Sequence, residues 1–267
     1  MGEAAAVKVL TFNIRYGTAP DGDNAWPLRR RLVVGILEAE LWDFVGLQEA
    51  LRFQIAELTE ALPQFAWIGK GRDRGDQHGE HVPILFRAER WRLLAEEHFW
   101  LSDTPEVPGS RSWGNRLPRM VTAGHFEEEG TGRRLWVFNT HFDHQSQVSR
   151  ERSARLLADR IARRKPADPV VLLGDFNAGE SNPAVRFLRG ADPESPVALL
   201  DSFRVVFPDA TEVGTFHGFR GGSQGEKIDY VFVDPEVKVV SAAILRTAEG
   251  ERYPSDHYPV AATLELP

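Results

Sequence analysis

Short apolar runs, each closed by a cluster of polar residues, constrain this chain more than any other feature. Residues 7–12 form an apolar run of strand length that ends at Asn13, and residues 43–47 form a second, closed by Gln48-Glu49. The run that begins at Leu135 closes on Asn139-Thr140-His141-Phe142-Asp143. Residues 170–173 close on Gly174-Asp175-Phe176-Asn177. Nearer the C-terminus, Asp229 stands inside the run Lys227-Ile228-Asp229-Tyr230-Val231, and Ser255-Asp256-His257 precedes the last apolar run. If these ends converge, one cleft holds four carboxylates, two amides and two imidazoles.

Further strand-like runs occupy residues 65–68, 82–86, 91–101, 120–126, 135–140, 228–233, 237–245 and 259–264. Helical spacing marks residues 28–40, through Leu32, Val33, Ile36 and Leu37, and residues 53–62, stopped by Pro63. A third helix is predicted over 146–164, with Val148, Leu156, Leu157 and Ile161 as its inner face. Helix–strand alternation at the start, consecutive strands in the middle and alternation again predict an α/β fold. Two packed sheets, mostly antiparallel or mixed and flanked by helices, suit that order better than a doubly wound parallel sheet. Residues 178–222 are the least regular part, rich in Pro and Gly. No linker or repeat interrupts the chain, so one domain over 1–267 is expected, long enough to bury a core without staples.

Composition narrows the chemistry. The chain has no cysteine, which excludes disulfides, thiolate zinc sites and cysteine nucleophiles. A metal would have to be held by oxygen or imidazole ligands, and an oxygen-rich set selects Mg²⁺, Mn²⁺ or Ca²⁺ over Zn²⁺. The formal charge of −7 does not suggest a broad basic surface for duplex nucleic acid. Residues 1–6 lack a cationic stretch followed by an apolar run, and no apolar run approaches membrane-spanning length. A cytoplasmic chain with no membrane anchor is therefore expected.

Four carboxylates in one cleft would repel one another and raise each other's pKa, and a divalent cation is the usual relief. Each cluster also has a plainer account. Gly174-Asp175 is what a turn after a strand looks like, Glu49 fits the first turn of a helix, and Asn13 fits an ordinary loop. His141 alone is more often structural than catalytic. Asp229 is the sharpest residue, because a carboxylate among valine and isoleucine is costly unless paired. Pairing with a histidine would satisfy it and raise the histidine's pKa.

Taken in order from Thr11-Phe12-Asn13 to Ser255-Asp256-His257-Tyr258-Pro259-Val260, six motifs resemble those of the endonuclease/exonuclease/phosphatase superfamily. The resemblance implies a four-layer α/β sandwich and hydrolysis of phosphodiester bonds by in-line attack of water, assisted by one or two Mg²⁺ or Mn²⁺ ions. It implies that Glu49 is the principal metal ligand, with Asn13 and Asp256 beside it. Asp175 would deprotonate the attacking water and Asn177 would hold the water or the phosphate. His257 would contact the scissile phosphate, Asp229 would fix its tautomer, and His141 would contact the phosphate or protonate the leaving oxygen.

Within the superfamily, Asn24-Ala25-Trp26-Pro27-Leu28-Arg29-Arg30 resembles the Trp-x-x-Arg segment of the deadenylase branch, while Pro27 alone suits a helix start. Arg15 stands where abasic endonucleases carry a metal-linked Asp, which puts that branch in doubt and offers a phosphate contact. Glu80 is a candidate to orient His141 from behind, and Arg119 a candidate phosphate contact. Loop 104–116, with Trp113, and the segment Gly214-Thr215-Phe216-His217-Gly218-Phe219 carry aromatics that suit stacking on a base or sugar. The same aromatics would equally pin long loops to the core. The expected substrate is a phosphate ester, first a nucleic acid (single-stranded) or nucleotide-like diester. The alternatives are a small phosphomonoester of a sugar, inositol or nucleotide, a lipid diester, and a binding module without catalysis.

Overall fold

The computed structural model describes residues 6–267 and forms a four-layer α/β sandwich, as expected. Residues 1–5, on which most of the expectation about a leader rests, lie outside the described residues. One sheet has the order β11 (Lys238–Ile244), β12 (Val260–Glu265), β1 (Val7–Asn13), β2 (Phe44–Gln48), β4 (Ile84–Arg87), β3 (Phe65–Ile68). The other runs β5 (Trp91–Trp100), β6 (Met120–Glu128), β7 (Arg134–His141), β8 (Val170–Asp175), β10 (Asp229–Val233), β9 (Leu200–Asp201). Strands β1 and β2 pair in parallel, as do β7 and β8, and the remaining pairs are antiparallel.

The two-residue period of a strand sorts the side chains into layers. Val7, Val9, Leu135, Val137, Val171, Leu173, Val231 and Val233 fill the core between the sheets. Their neighbours face outward. Leu10 and Phe12 pack with helices α1 (Trp26–Glu38) and α2 (Arg52–Ala61). Trp136, Phe138, Leu172 and Phe232 pack with α3 (Gln147–Arg163) and α4 (Pro183–Leu188). Carried two residues on in β8, or two back in β10, the inward register reaches Asp175 and Asp229, and four on in β1 and β7 it reaches Asn13 and His141. Each buried Val, Leu or Phe contributes roughly 1.5–3 kcal/mol, so the flanking apolar residues offset what a buried carboxylate costs.

The sheets meet closely below these polar ends. A Cβ on Gly46 would lie 2.8 Å from the side-chain amide of Asn139. Asn139 Nδ2 donates across the gap to the carbonyls of Leu47 and Pro83, and its Oδ1 accepts from Gln48 Nε2 at 2.7 Å.

The three long helices fall where periodicity puts them, with one difference. Val148 is exposed, and the buried face of α3 is Ser149, Ser153, Ala154, Leu157, Ala158 and Ile161. At about 100° per residue, Val148 lies roughly opposite Leu157, so it cannot share that face. Helices α4 and α5 (Ser202–Val206) and strand β9 lie within 178–222, and are too short to show a period. No described helix is long and apolar enough to cross a membrane.

Candidate active site

The fold gathers the polar strand ends at one rim of the sandwich. In β1 and β2, Asn13 sits beside Gln48, which places Glu49 next to it. Strand register aligns His141 with Asp175 and Asp175 with Asp229 across β7, β8 and β10. Gly174 permits this row, since a Cβ there would stand 2.7 Å from the carbonyl oxygen of Thr140. The segment before β12 brings Asp256 and His257 to the same rim, with Phe216 bridged to His257.

Asp175 is the hub. Its Oδ2 accepts from Asn13 Nδ2 at 3.0 Å, and its Oδ1 accepts from the Asn177 amide at 2.9 Å. The Nε2 atoms of His141 and His257 lie 3.4 and 3.8 Å from Oδ2. Asn13 also donates to Glu49 Oε1 at 3.1 Å, so one amide spans both carboxylates. Asn177 Nδ2 donates to the Phe142 carbonyl at 3.0 Å. His257 Nδ1 lies 2.9 Å from Asp229 Oδ2, and a carboxylate acceptor there fixes the donor proton on Nδ1. The ligand atoms of Asp175, Asp229 and His257 fall within 4.8 Å of one another, the one such His/carboxylate group among the described residues.

Electrostatics separate the two histidines. Burial alone would lower the pKa of His257, but the facing carboxylates of Asp229 and Asp175 hold it well above its usual value. Burial, reinforced by Arg119 and Arg72, pushes His141 well below. Asp175 is pushed up to about 7 by burial and by Asp229. Burial also raises Asp256, partly countered by His257 and reinforced by Glu49. Arg15 Nη1 and Nε stand 3.9 Å from Glu49 and Asp256 respectively, so these two carboxylates converge. Arg15, Glu49 and Asn177 all hold positive φ, at 56°, 59° and 47°. Non-glycine residues adopt that conformation at a cost, and such costs cluster at functional sites.

Arg15, Glu49, His141, Asp175, Asn177, Asp256 and His257 line a cleft of about 840 Å³, with Asn13 and Asp229 buried behind its wall. The candidate substrate contacts Arg15, Arg119 and Phe216 stand in its wall, as does Glu80, the candidate to orient His141. Arg15 is anchored by Asp21, with two hydrogen bonds of 3.1 and 3.0 Å. Glu80 forms a two-bond pair with Arg72, and no direct hydrogen bond joins it to His141. A cavity of about 10 Å³, lined by Arg72, Glu80, His81, Arg119 and His141 among others, has room for one water at most. Two of the expected substrate contacts lie outside the wall. Trp113 donates to Asp103 at 2.8 Å and packs against the helix-side core. His217 stacks on Tyr258 at 4.0 Å behind Phe216, and its Nδ1 accepts from the Gly221 amide.

Arg72, His144, Tyr16, Asp21, Leu117 and Phe219 also line the cleft, and sequence reasoning gave the first five no place there. His144 Nδ1 lies 3.0 Å from Arg119 Nη2; the guanidinium must be the donor, so that nitrogen is unprotonated. Only its place in Thr140-His141-Phe142-Asp143-His144 could have flagged it. Arg72 comes from an irregular loop with no periodic signal.

A carboxylate-rich cleft at the rim of a two-sheet sandwich, with an Asp–His pair and arginines in its wall, defines a hydrolase of phosphate esters. The chain belongs to the endonuclease/exonuclease/phosphatase family, whose sequence model matches residues 10–257. It is 32% identical to an endonuclease/exonuclease/phosphatase from Bacteroides vulgatus, with a TM-score of 0.91 over 98% of this chain and 100% of that one. It is 30% identical to a mannosyl-6-phosphatase from Bacteroides thetaiotaomicron, with a TM-score of 0.89 over 97% and 100%. Uncharacterized protein L388 of Acanthamoeba polyphaga mimivirus is 30% identical over 184 residues, covering 65% of this chain and 68% of that protein.

Proposed function

We propose that this protein is a divalent-metal-dependent phosphomonoesterase acting on a small, sugar-like phosphate. The observation that carries this is the outline of the cleft. Loops bearing Arg15 and Asp21, Arg72 and Glu80, Leu117 and Arg119, and Phe216 and Phe219 bound a space of about 840 Å³. That volume falls within the range of small-molecule pockets. The likeness to a mannosyl-6-phosphatase at 30% identity supports the same substrate class.

Glu49 and Asp256 would hold the metal, with Asn13 beside them through Oδ1, which accepts from the Arg15 amide at 3.0 Å. The fit is chemical: an oxygen-only set, in which burial and then the nearby Glu49 raise the pKa of Asp256, suits Mg²⁺ or Mn²⁺. When bound, such an ion acts as a Lewis acid on the phosphoryl group and offsets its charge. Asp175, with a pKa of about 7, is suited to take a proton from water. The water oxygen bonds to phosphorus as the bond from phosphorus to the leaving oxygen breaks. The leaving oxygen takes its proton from solvent. Asp229 holds His257 protonated with Nε2–H free to donate to a phosphoryl oxygen. His141, kept neutral, acts as a hydrogen-bonding contact rather than an acid. Asn177, in its left-handed turn, fixes Asp175 through its backbone amide.

A second substrate class has one specific observation in its favour. Phe216 is 47% exposed with its ring 5.0 Å from that of His257, a position suited to stacking on a base. The deciding experiment is turnover on sugar 6-phosphates, inositol phosphates, nucleotides, single-stranded DNA and RNA, and duplex DNA, with Mg²⁺, Mn²⁺ and EDTA. Phosphate release from sugar phosphates, abolished by EDTA, is expected. Polymer cleavage without monoester turnover would move the assignment to a nuclease.

A further inference from the structure

Arg29 is fully buried and has no carboxylate within salt-bridge distance among the described residues. Burial pushes its pKa down to about 10, which still leaves it charged at neutral pH. A buried, unpaired guanidinium is expensive, and here every hydrogen bond it makes goes to a backbone carbonyl. Nε donates to Asn24 at 2.9 Å and Nη2 to Arg15 at 3.0 Å. Nη1 donates to both Ile14 at 2.7 Å and Pro254 at 2.9 Å.

Three of these carbonyls belong to two segments far apart in sequence. Ile14 and Arg15 follow Asn13 directly, and Pro254 lies two residues before Asp256. The same two segments are tied once more by Ser255 Oγ, which donates to the Asn13 carbonyl at 2.7 Å. The Arg29 guanidinium also stands over the ring of Trp26 at 5.2 Å and that of Phe219 at 5.7 Å, and Phe219 lines the cleft. One side chain thus touches the Asn13 loop, the Asp256 loop and an aromatic of the wall.

We infer that Arg29 is a positioning residue, a clasp that, with Ser255, sets the spacing between the loops bearing Asn13 and Asp256 and so preorganises the metal site. This rests on the metal assignment made under the proposed function. A planar guanidinium reaches four carbonyls in fixed directions, whereas an ammonium offers three donors from one point. Lysine therefore cannot reproduce the clasp. Outer residues that orient metal ligands are generally worth 10–100-fold in metal affinity.

The test is Mn²⁺ binding to the metal-free full-length chain, without substrate, measured by calorimetry for wild type, Glu49→Gln, Arg29→Lys and Ser255→Ala. Melting is followed by circular dichroism in parallel. The expected result is a loss of Mn²⁺ affinity of about tenfold or more in Arg29→Lys and Ser255→Ala while both keep a cooperative melt. A purely structural role would lower the melting temperature and leave the affinity of the folded protein unchanged. Folded Arg29→Lys binding within twofold of wild type overturns the clasp. If Arg29→Lys does not fold, Ser255→Ala decides by the same criterion, since its bond spans the same loops. Wild-type binding that Glu49→Gln leaves untouched overturns the metal assignment, and the clasp with it.

Discussion

Two buried carboxylates lie at opposite ends of the sandwich, and their surroundings could hardly differ more. Asp43, just before β2, accepts from the Lys8 amide, Arg90 Nη1 and Trp91 Nε1, and pairs with Arg87 at 3.1 Å. Two cations and two neutral donors satisfy one charge. Asp175, equally buried, faces a second carboxylate in Asp229 and two histidines, with only the Asn13 amide and one backbone N–H as donors. Burial and Asp229 together push its pKa up to about 7. The first arrangement holds an ion in place. The second keeps a carboxyl near the point of gaining or losing a proton, which stabilises nothing and suits a base. Burial alone does not separate structure from chemistry; the identity of the partners does.

The sharpest way to break the comparison is to neutralise each carboxylate in turn. Asp175→Asn is expected to lower turnover by about 10³-fold, within the range for loss of a general base. Its melting temperature should hold or rise, because repulsion with Asp229 is removed. Steady-state kinetics and differential scanning calorimetry on one preparation read both quantities. A fall in melting temperature with turnover retained would mean that Asp175 is structural. Asp43→Asn should do the reverse. It removes the anion that Arg87 and Arg90 share while Arg90 keeps Glu128, so the loss falls at the low end of the range for a broken buried pair, about 3 kcal/mol. For a chain of this size that is a fall of about 10 °C, with turnover at low temperature nearly unchanged. Asp43→Asn with a wild-type melt would show that the arginine pair is not holding the far end.

The same contrast accounts for what was legible in the sequence. Asn13, His141, Asp175 and Asp229 are readable as candidates because each interrupts or ends an apolar run, although a loop, a structural histidine and a turn account for the first three equally well. Their convergence was not readable from the runs themselves. It depends on β7 and β8 being parallel neighbours, with β10 antiparallel beside them, and strand order is a long-range property. Resemblance to a family supplied it. Arg72 and His144 were missed because they stand on loops, where no period exists to be broken. Trp113 and His217 were picked for being aromatic on glycine-rich loops, and the structure turns both toward packing partners. Val148 failed for a simpler reason, since hydrophobicity was counted without its angle around the helix. Arg29 lay in a segment whose resemblance was noticed, yet its role needs four carbonyls from three parts of the chain.

The aromatic beside each carboxylate network offers a finer and smaller test. Trp91, at the Asp43 end, is buried and spends its N–H on the carboxylate. Phe216, at the Asp175 end, has no polar handle and leaves nearly half of its surface open over His257. Under the proposed function, that open face would rest on substrate rather than support the fold. Stacking of this kind is worth about 1–3 kcal/mol on a base by alanine substitution, and less is expected on the narrower apolar face of a sugar. Phe216→Ala should therefore raise KM about fivefold on a sugar phosphate, with kcat within twofold and the melting temperature unchanged. A KM ratio near 100 on a nucleotide substrate, with little change on the sugar, would identify a base as the group that rests there. Loss of kcat at constant KM would mean instead that Phe216 acts through His257, by holding its ring against Asp229.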